Sequence, residues 1–334
     1  MVVHGYSTLL SELPLRGGTA ERLVTPTGLR NDVLAMQLTE LRAHVSERGE
    51  GSAALPGVLD HLRHVQWHYE IETDIADPAV YAAWARSAQA LLVVGDKVLN
   101  PAGRVLIGDG AESASLPLHP QALARSERVR RDLATRDITV PAGAIPVRST
   151  EEVLLRRPEQ VAKRAVALVV SADFALSVLD GEPLDSEYME RIFPRSLAER
   201  TPTEFALFRD KGPAIAARLK WGYEAAAQLL AMCGAVELSF PRDFADQGQV
   251  WNASIGVEEP ELLRTLALLP VAEVCDAWEN ARALQHSVTM ARADGQRPPA
   301  ELDPEIVRQR YAAMEWLTGD QAWDDVALDV PCYA

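Results

Sequence analysis

Hydrophobic and polar positions are spaced differently in the two halves of the chain. In the first half, residues 2–6, 65–72 and 91–94 form short apolar or alternating runs, which are typical of strands. Residues 29–48 repeat apolar side chains at helical spacing, and residues 119–137 form a charged, arginine-rich helical pattern. This mixture predicts a small antiparallel or mixed sheet with helices packed against it.

Two short motifs in this half predict local structure. Asp77 followed by Pro78 is a typical helix start, because the aspartate caps the first turn and proline fits its first position. Two apolar runs flank residues 100–103, which carry Asn, Pro and Gly, so we predict a hairpin there.

Beyond residue 146 the alternation disappears and long helical patterns follow. Thr201, Pro202 and Glu204 have the spacing of a capping box. Residues 221–236 are apolar nearly all round, which predicts that they belong to one buried central helix, 213–235. We therefore predict an α+β fold: a two-layer α+β domain at 1–145, then an all-α domain at 146–334 built around the helix 213–235.

The central helix carries one polar stripe, formed by Trp221, Glu224 and Gln228 at positions i, i+3 and i+7. A buried carboxylate needs a partner or a raised pKa. The favoured interpretation is a structural ion pair between Glu224 and an arginine of a neighbouring helix, which fixes helix register. In the alternative, Glu224 is the catalytic candidate, a general base or ligand anchor in a pocket walled by Trp221. Candidate arginine partners are Arg164, Arg282 and Arg310.

Composition limits the possible functions. The chain has 334 residues and a net charge of −15. Because a negatively charged surface repels phosphate backbones, we expect no nucleic-acid partner. The commoner explanation of such a charge is solubility, and the alternative is that it attracts a basic protein partner. The N-terminal residues lack the basic and apolar regions of a signal peptide, and no apolar run is long enough for a membrane span. Oligomeric state is left open.

Three histidines raise the question of a metal site, because His61, His64 and His68 would share one face of a helix. The alternation at 65–72 favours a strand instead, on which His64 and His68 lie about 13 Å apart. Cys233, Cys275 and Cys332 are widely separated, which favours free thiols and a cytoplasmic location. We therefore predict no metal and no cofactor.

Motifs that identify common enzymes are missing from the sequence. It contains no strand-linked GxGxxG, no GxxxxGK[ST] and no GxSxG. Together with the negative charge, this favours a non-catalytic binding or accessory protein that engages a protein partner. An enzyme of unassigned reaction, with Trp221 and Glu224 in its pocket, is the alternative.

A series of motifs follows in order along the second half: 161–168, Thr201 to Glu204, Trp221 to Glu224, Leu229 with Leu230, 238–241, Val307 with Arg310, Trp316 with Leu317, and Trp323 to Asp325. This series resembles the bacterial domain-of-unknown-function family DUF4272. The resemblance covers about residues 147–330, and the segment before it is similar to the N-terminal part that often accompanies this domain. Two positions depart from the family pattern: Arg157 stands where members usually have serine, and no tryptophan follows Arg282 closely. The resemblance implies a helical C-terminal domain and no particular activity.

Overall fold

The computed structural model describes residues 1–15, 18–23, 32–75, 77–112, 115–328 and 330. By their contacts these residues form two compact units. Unit 1 comprises Met1–Glu127 and Pro141–Leu154, and unit 2 comprises Arg128–Val140 and Leu155–Val330. That 1–145 and 146–334 fold as independent domains stays a prediction.

Unit 1 is built on a six-stranded sheet in the order β2-β3-β1-β4-β5-β6, and every neighbouring pair is antiparallel. The prediction of an antiparallel or mixed sheet in the first half is therefore confirmed. The hairpin predicted around residues 100–103 joins β5 to β6. The strands are β1 (Val2–Ser7), β2 (Thr19–Arg22), β3 (Trp67–Glu72), β4 (Ala90–Val94), β5 (Lys97–Leu99) and β6 (Val105–Ile107).

The helices of the first half include one that the sequence pattern did not predict. This helix, α2, places Pro56 in its first turn, where a missing N–H costs nothing. His61 lies on α2 and His64 directly follows it, so the prediction that His64 lies on a strand was wrong. Asp77 does cap a helical turn, the 3₁₀ helix Pro78–Tyr81, by accepting from Ala79 N–H. The α-helices are α1 (Asp32–Arg48), α2 (Leu55–Arg63), α3 (Ala82–Ser87) and α4 (Pro120–Ala134).

A buried polar cluster connects the end of β1 with α2 and the segment after residue 147 in unit 1. Arg148 donates to Asp60 at 2.9 Å, and both side chains are 4% exposed. Glu152 accepts from Thr8 Oγ1 at 2.6 Å and from Ser149 Oγ at 2.7 Å. Burial alone would raise the pKa of Glu152, but Arg148 and the hydroxyl donors outweigh it and hold this pKa below its usual range.

His61 is fully buried beside this cluster, and its Nε2–H donates to the Tyr6 carbonyl oxygen at 2.9 Å. Burial, followed by the nearby Arg148 charge, lowers the pKa of His61 to about 3. His61 therefore becomes protonated near pH 6.5 in the unfolded chain, whereas in the folded chain it stays neutral down to about pH 3. Titration of His61 therefore leaves the free energy of unfolding unchanged above pH 6.5 and lowers it as the pH falls toward 3.

We expect the free energy of unfolding to fall between pH 6.5 and 5 by up to about 1.4 kcal/mol per pH unit from His61 alone. Urea unfolding of the wild type and of His61→Gln at pH 7.5 and 5.0 measures this contribution. His61→Gln should flatten the dependence, whereas His44→Gln, at an exposed site, should keep it. Identical pH profiles for His61→Gln and wild type would contradict the assignment.

Unit 2 is helical, which confirms the α+β fold class. The helix start predicted at Thr201 is found. Glu204 accepts from Thr201 N–H at 2.9 Å while Glu204 N–H donates to Thr201 Oγ1 at 3.1 Å, so the capping box forms. Pro158 opens the long apolar helix α5. The helices are α5 (Pro158–Leu179), α6 (Ser186–Ile192), α7 (Pro194–Leu197), α8 (Pro202–Asp210), α9 (Pro213–Leu219), α10 (Gly222–Ala231), α11 (Gln247–Ala253), α12 (Glu259–Thr265), α13 (Val271–Ala293) and α14 (Pro304–Thr318).

The single helix predicted at 213–235 is wrong, because the structure has two helices, α9 and α10, with a break between them. At the break Trp221 has ψ near −3°, and Glu224 N–H bonds to the Trp221 carbonyl three residues back. Gly222 then begins α10 against α5, where an added Cβ would lie 2.7 Å from the Leu168 carbonyl oxygen. The close packing against α5 decides the geometry here, and the uniform apolar pattern does not reveal it.

Candidate functional site

Glu224 lies on α10 and is 2% exposed. Its Oε2 accepts from Nε and Nη2 of Arg310 on α14, at 3.0 and 2.9 Å, and its Oε1 accepts from Ala245 N–H at 2.8 Å. Arg310 uses its third nitrogen, Nη1, to donate to the Ser239 carbonyl oxygen at 2.6 Å. Both carboxylate oxygens are therefore occupied, and the carboxylate is closed against an arginine.

Gln228 lies one turn after Glu224 and faces the same neighbouring helix. Its amide nitrogen is 3.2 Å from the sulfur of Met314 on α14, and the residue is 4% exposed. Gln228 and Arg310 also line a cavity of about 410 Å³ in unit 2, together with Phe240. Of the candidate site residues, Glu224, Gln228 and Arg310 therefore lie close together, at the contact between α10 and α14.

The other two candidate arginines pair with other carboxylates of unit 2. Arg164 on α5 forms a buried ion pair with Glu204 of the α8 capping box. Arg282 on α13 donates to Glu315 at 3.0 Å. Arg164 therefore does not contact the Glu224 pair. Its guanidinium lies over the Trp323 ring, 5.2 Å from the ring centroid.

Trp221 turns away from the polar stripe because the helix breaks at this residue. It is half-buried, stacks on Phe244 with ring centroids 5.8 Å apart, and lines a cleft of about 330 Å³. Trp323 lines the same cleft, which we call the tryptophan cleft. It lies within unit 2 between α5, α10, α14 and residues 323–328. Trp221 and Glu224 therefore do not share one pocket: Trp221 lines the tryptophan cleft, whereas Glu224 lies in the buried pair with Arg310.

Carboxylates at the tryptophan cleft are engaged by neighbouring donors. Asp324 Oδ2 accepts from Thr203 N–H at 3.0 Å, in the first turn of α8. Glu305 accepts from Arg308 at 2.8 Å. Together with the Arg164–Glu204 pair, these contacts give each carboxylate that lines the cleft at least one donor.

Two cysteines have the character expected of packed thiols. Cys275 is buried, Cys233 is free, and burial raises the pKa of the Cys233 thiol to about 12. A thiol with so high a pKa is a weak nucleophile at neutral pH. Cys332 lies outside the described residues.

The described ranges contain neither a metal-ligating cluster nor a membrane-spanning helix. Within them, no group of three or more His, Cys, Asp or Glu residues is arranged to hold a metal ion. No helix of the described chain has the length and apolar character that crossing a bilayer requires.

Two cleft residues were missed by sequence reasoning. Ser171 lies on α5 and is 1% exposed, and Arg218 on α9 is exposed at the cleft. Ser171 did carry a signal, because it is a lone hydroxyl inside the apolar run 165–172. Arg218 carried none, since its position depends on the break between α9 and α10.

An antiparallel sheet in unit 1 and a helical unit 2 make this an α+β protein. A family model described as Domain of unknown function (DUF4272) matches residues 125–326, which is more than half of the 334-residue chain. The chain belongs to this family, as its motifs predicted. Comparison with curated proteins and with solved structures gave no match.

Proposed function

We propose that this chain is a non-catalytic binding or accessory protein that engages a basic protein partner. The contact surface is residues 179–192, the end of α5 together with α6, which we call the acidic segment. One observation carries the proposal: an exposed apolar face surrounded by unpaired carboxylates. A cytoplasmic location, expected from the separated cysteines, belongs to the same proposal.

The apolar part of the acidic segment is exposed along its length. Tyr188 and Ile192 are spaced i, i+4 on α6 and are 53% and 44% exposed. Leu179 and Leu184 before them are 40% and 44% exposed. Grouped apolar side chains of this kind are typical of surfaces that bind another protein.

The charge of the acidic segment favours a basic partner. Its fourteen positions contain five acidic residues and one arginine, Arg191. Asp185 caps α6 and Glu190 pairs with Arg200, so both are partly neutralised. Asp180, Glu182 and Glu187 are exposed and have no ion-pair partner among the described residues. Such a rim attracts and orients a basic surface.

The alternative function, an enzyme using Glu224, has weaker support. A general base needs an oxygen within reach of a substrate proton. Both oxygens of Glu224 accept hydrogen bonds from Arg310 and Ala245, and the residue is 2% exposed. We therefore infer a structural role for Glu224 and place binding at the surface of unit 2.

Quantitative affinity purification from extract of the producing cells tests the proposal. We expect a basic protein to be enriched by the tagged wild type and to fall about tenfold or more with Tyr188→Glu/Ile192→Glu. Both sites are exposed, so the variant should keep the wild-type melting temperature. The matched control is Val33→Glu/Met36→Glu, which changes two exposed apolar residues on α1, 58% and 57% exposed.

Enrichment should survive in the α1 control and weaken as salt is raised, since screening acts on exposed charges. Equal enrichment of the same proteins by wild type and by the α6 variant would reject the surface. Enrichment of acidic proteins alone, or of no protein, would reject the basic partner.

A further inference from the structure

The tryptophan cleft is lined by a buried serine whose hydroxyl makes no hydrogen bond with the described residues. Ser171 is 1% exposed, lies at the cleft wall, and its Oγ has no hydrogen-bond partner among the described residues. Serine in a helix usually donates to the carbonyl four residues back. Ser46 and Ser287 do so in this chain, at 2.8 and 2.9 Å. Ser171 does not, so it can bond an occupant of the cleft.

Indole rings and a bare stretch of backbone shape the space around this hydroxyl. Trp221 and Trp323 both line the cleft and are half-buried, so part of each ring is free for contact. Gly222 adds no side chain, because its position against α5 excludes one. The volume of about 330 Å³ is near the lower end for small-molecule pockets and fits one or two fused rings. Aromatic walls favour a planar aromatic molecule.

Of the two arginines that line the cleft, Arg308 is paired with Glu305, which leaves the Arg218 guanidinium available to an anion. Glu204 and Glu305 are paired with arginines, and Asp324 is bonded to the first turn of α8. Arg218 lines the cleft, is exposed, and forms no ion pair with any described residue. A guanidinium in this position suits a carboxylate, which it can bind through two parallel hydrogen bonds.

We propose that the tryptophan cleft binds a small planar aromatic carboxylic acid. The rings lie against Trp221 and Trp323, the carboxylate pairs with Arg218, and Ser171 donates a hydrogen bond. This site is separate from the acidic segment, and binding here does not depend on the partner proposed above.

Titration calorimetry of the full chain with 2-naphthoate tests the site. We expect saturable binding with a Kd of about 0.1–1 mM, a usual range for a ligand of this size. Two probes separate the ligand features: 2-naphthamide keeps the rings without the charge, and cyclohexanecarboxylate keeps the charge without the aromatic ring. Each should bind about tenfold more weakly than 2-naphthoate.

Matched variants test the residues. Ser171→Ala removes an unpartnered hydroxyl, so it should keep or raise the melting temperature while weakening 2-naphthoate about fivefold. Ser254→Ala, at a buried serine that bonds its own helix, should leave the affinity unchanged. Arg218→Gln should weaken 2-naphthoate about tenfold and leave 2-naphthamide unchanged, whereas Arg264→Gln, at an exposed arginine on α12, should change neither.

No saturable binding at millimolar 2-naphthoate overturns the proposal. Equal affinity for all three probes, or unchanged affinity in both Ser171→Ala and Arg218→Gln, overturns it as well. Tyr188→Glu/Ile192→Glu should bind 2-naphthoate like the wild type, so failure of the partner surface and failure of this site are distinguishable.

Discussion

Arg310→Met should lower the free energy of unfolding by about 3–5 kcal/mol. The substitution keeps an apolar stem of similar length but removes both donors to Glu224 Oε2. The carboxylate then stays in a site that is 2% exposed with Ala245 N–H as its remaining donor among the contacts described above. An uncompensated buried charge costs far more than an exposed one. Urea unfolding at pH 7 measures the loss.

The control for this substitution is an exposed ion pair on another helix of unit 2. Arg264 donates to Glu261 at 3.3 Å, and the two side chains are 72% and 59% exposed. Arg264→Met should cost no more than about 1 kcal/mol, because water and salt screen such pairs. Equal losses in Arg310→Met and Arg264→Met would contradict a structural role for the buried pair.

Trp278→Ala should also lower the free energy of unfolding by about 3–5 kcal/mol. Trp278 on α13 is 0% exposed, and its indole N–H donates to Glu315 Oε1 at 2.7 Å. Arg282 stacks over the same ring at 5.0 Å and donates to the same carboxylate at 3.0 Å. The substitution therefore leaves a large cavity and removes one bond to a buried carboxylate. Thermal and urea unfolding both report it.

Two further variants separate packing from hydrogen bonding at this position. Trp278→Phe keeps most of the ring volume but lacks the N–H, so it should lose much less stability than Trp278→Ala. Trp251→Ala is the matched control, since Trp251 is 44% exposed. A loss in Trp251→Ala as large as in Trp278→Ala would show that burial is not the cause.

The fold class could be predicted from the sequence because its signals are local. Short apolar or alternating runs marked the strands of unit 1 other than β2, and caps such as Thr201 with Glu204 marked helix starts in unit 2. Helix α2 was missed because it is only nine residues long and its N-cap residue, Ala54, gives no side-chain capping signal. The break at Trp221 was missed because it depends on how closely α10 approaches α5, which is a tertiary effect.

The candidate site could be predicted only in part, because spacing within one helix is a local signal and the choice of contacting helices is not. Helical spacing correctly placed Glu224 and Gln228 on one face, and Arg310 was among the three expected donors. Spacing alone does not distinguish Arg310 from Arg164 or Arg282, since partner choice depends on which helices pack together. The tryptophan cleft combines residues from α5, α9 and α14 with a segment after residue 322. No periodicity within a single element identifies such a combination.

A double-mutant cycle on Glu224 and Arg310 tests the central claim, that the polar stripe of α10 is a structural element and not a catalytic one. The cycle compares the unfolding free energies of Glu224→Met, Arg310→Met and the double variant with that of the wild type. We predict that the double variant loses about 2–3 kcal/mol less than the sum of the single losses, because the paired charges are removed together. Losses that add to within about 0.5 kcal/mol would contradict the claim.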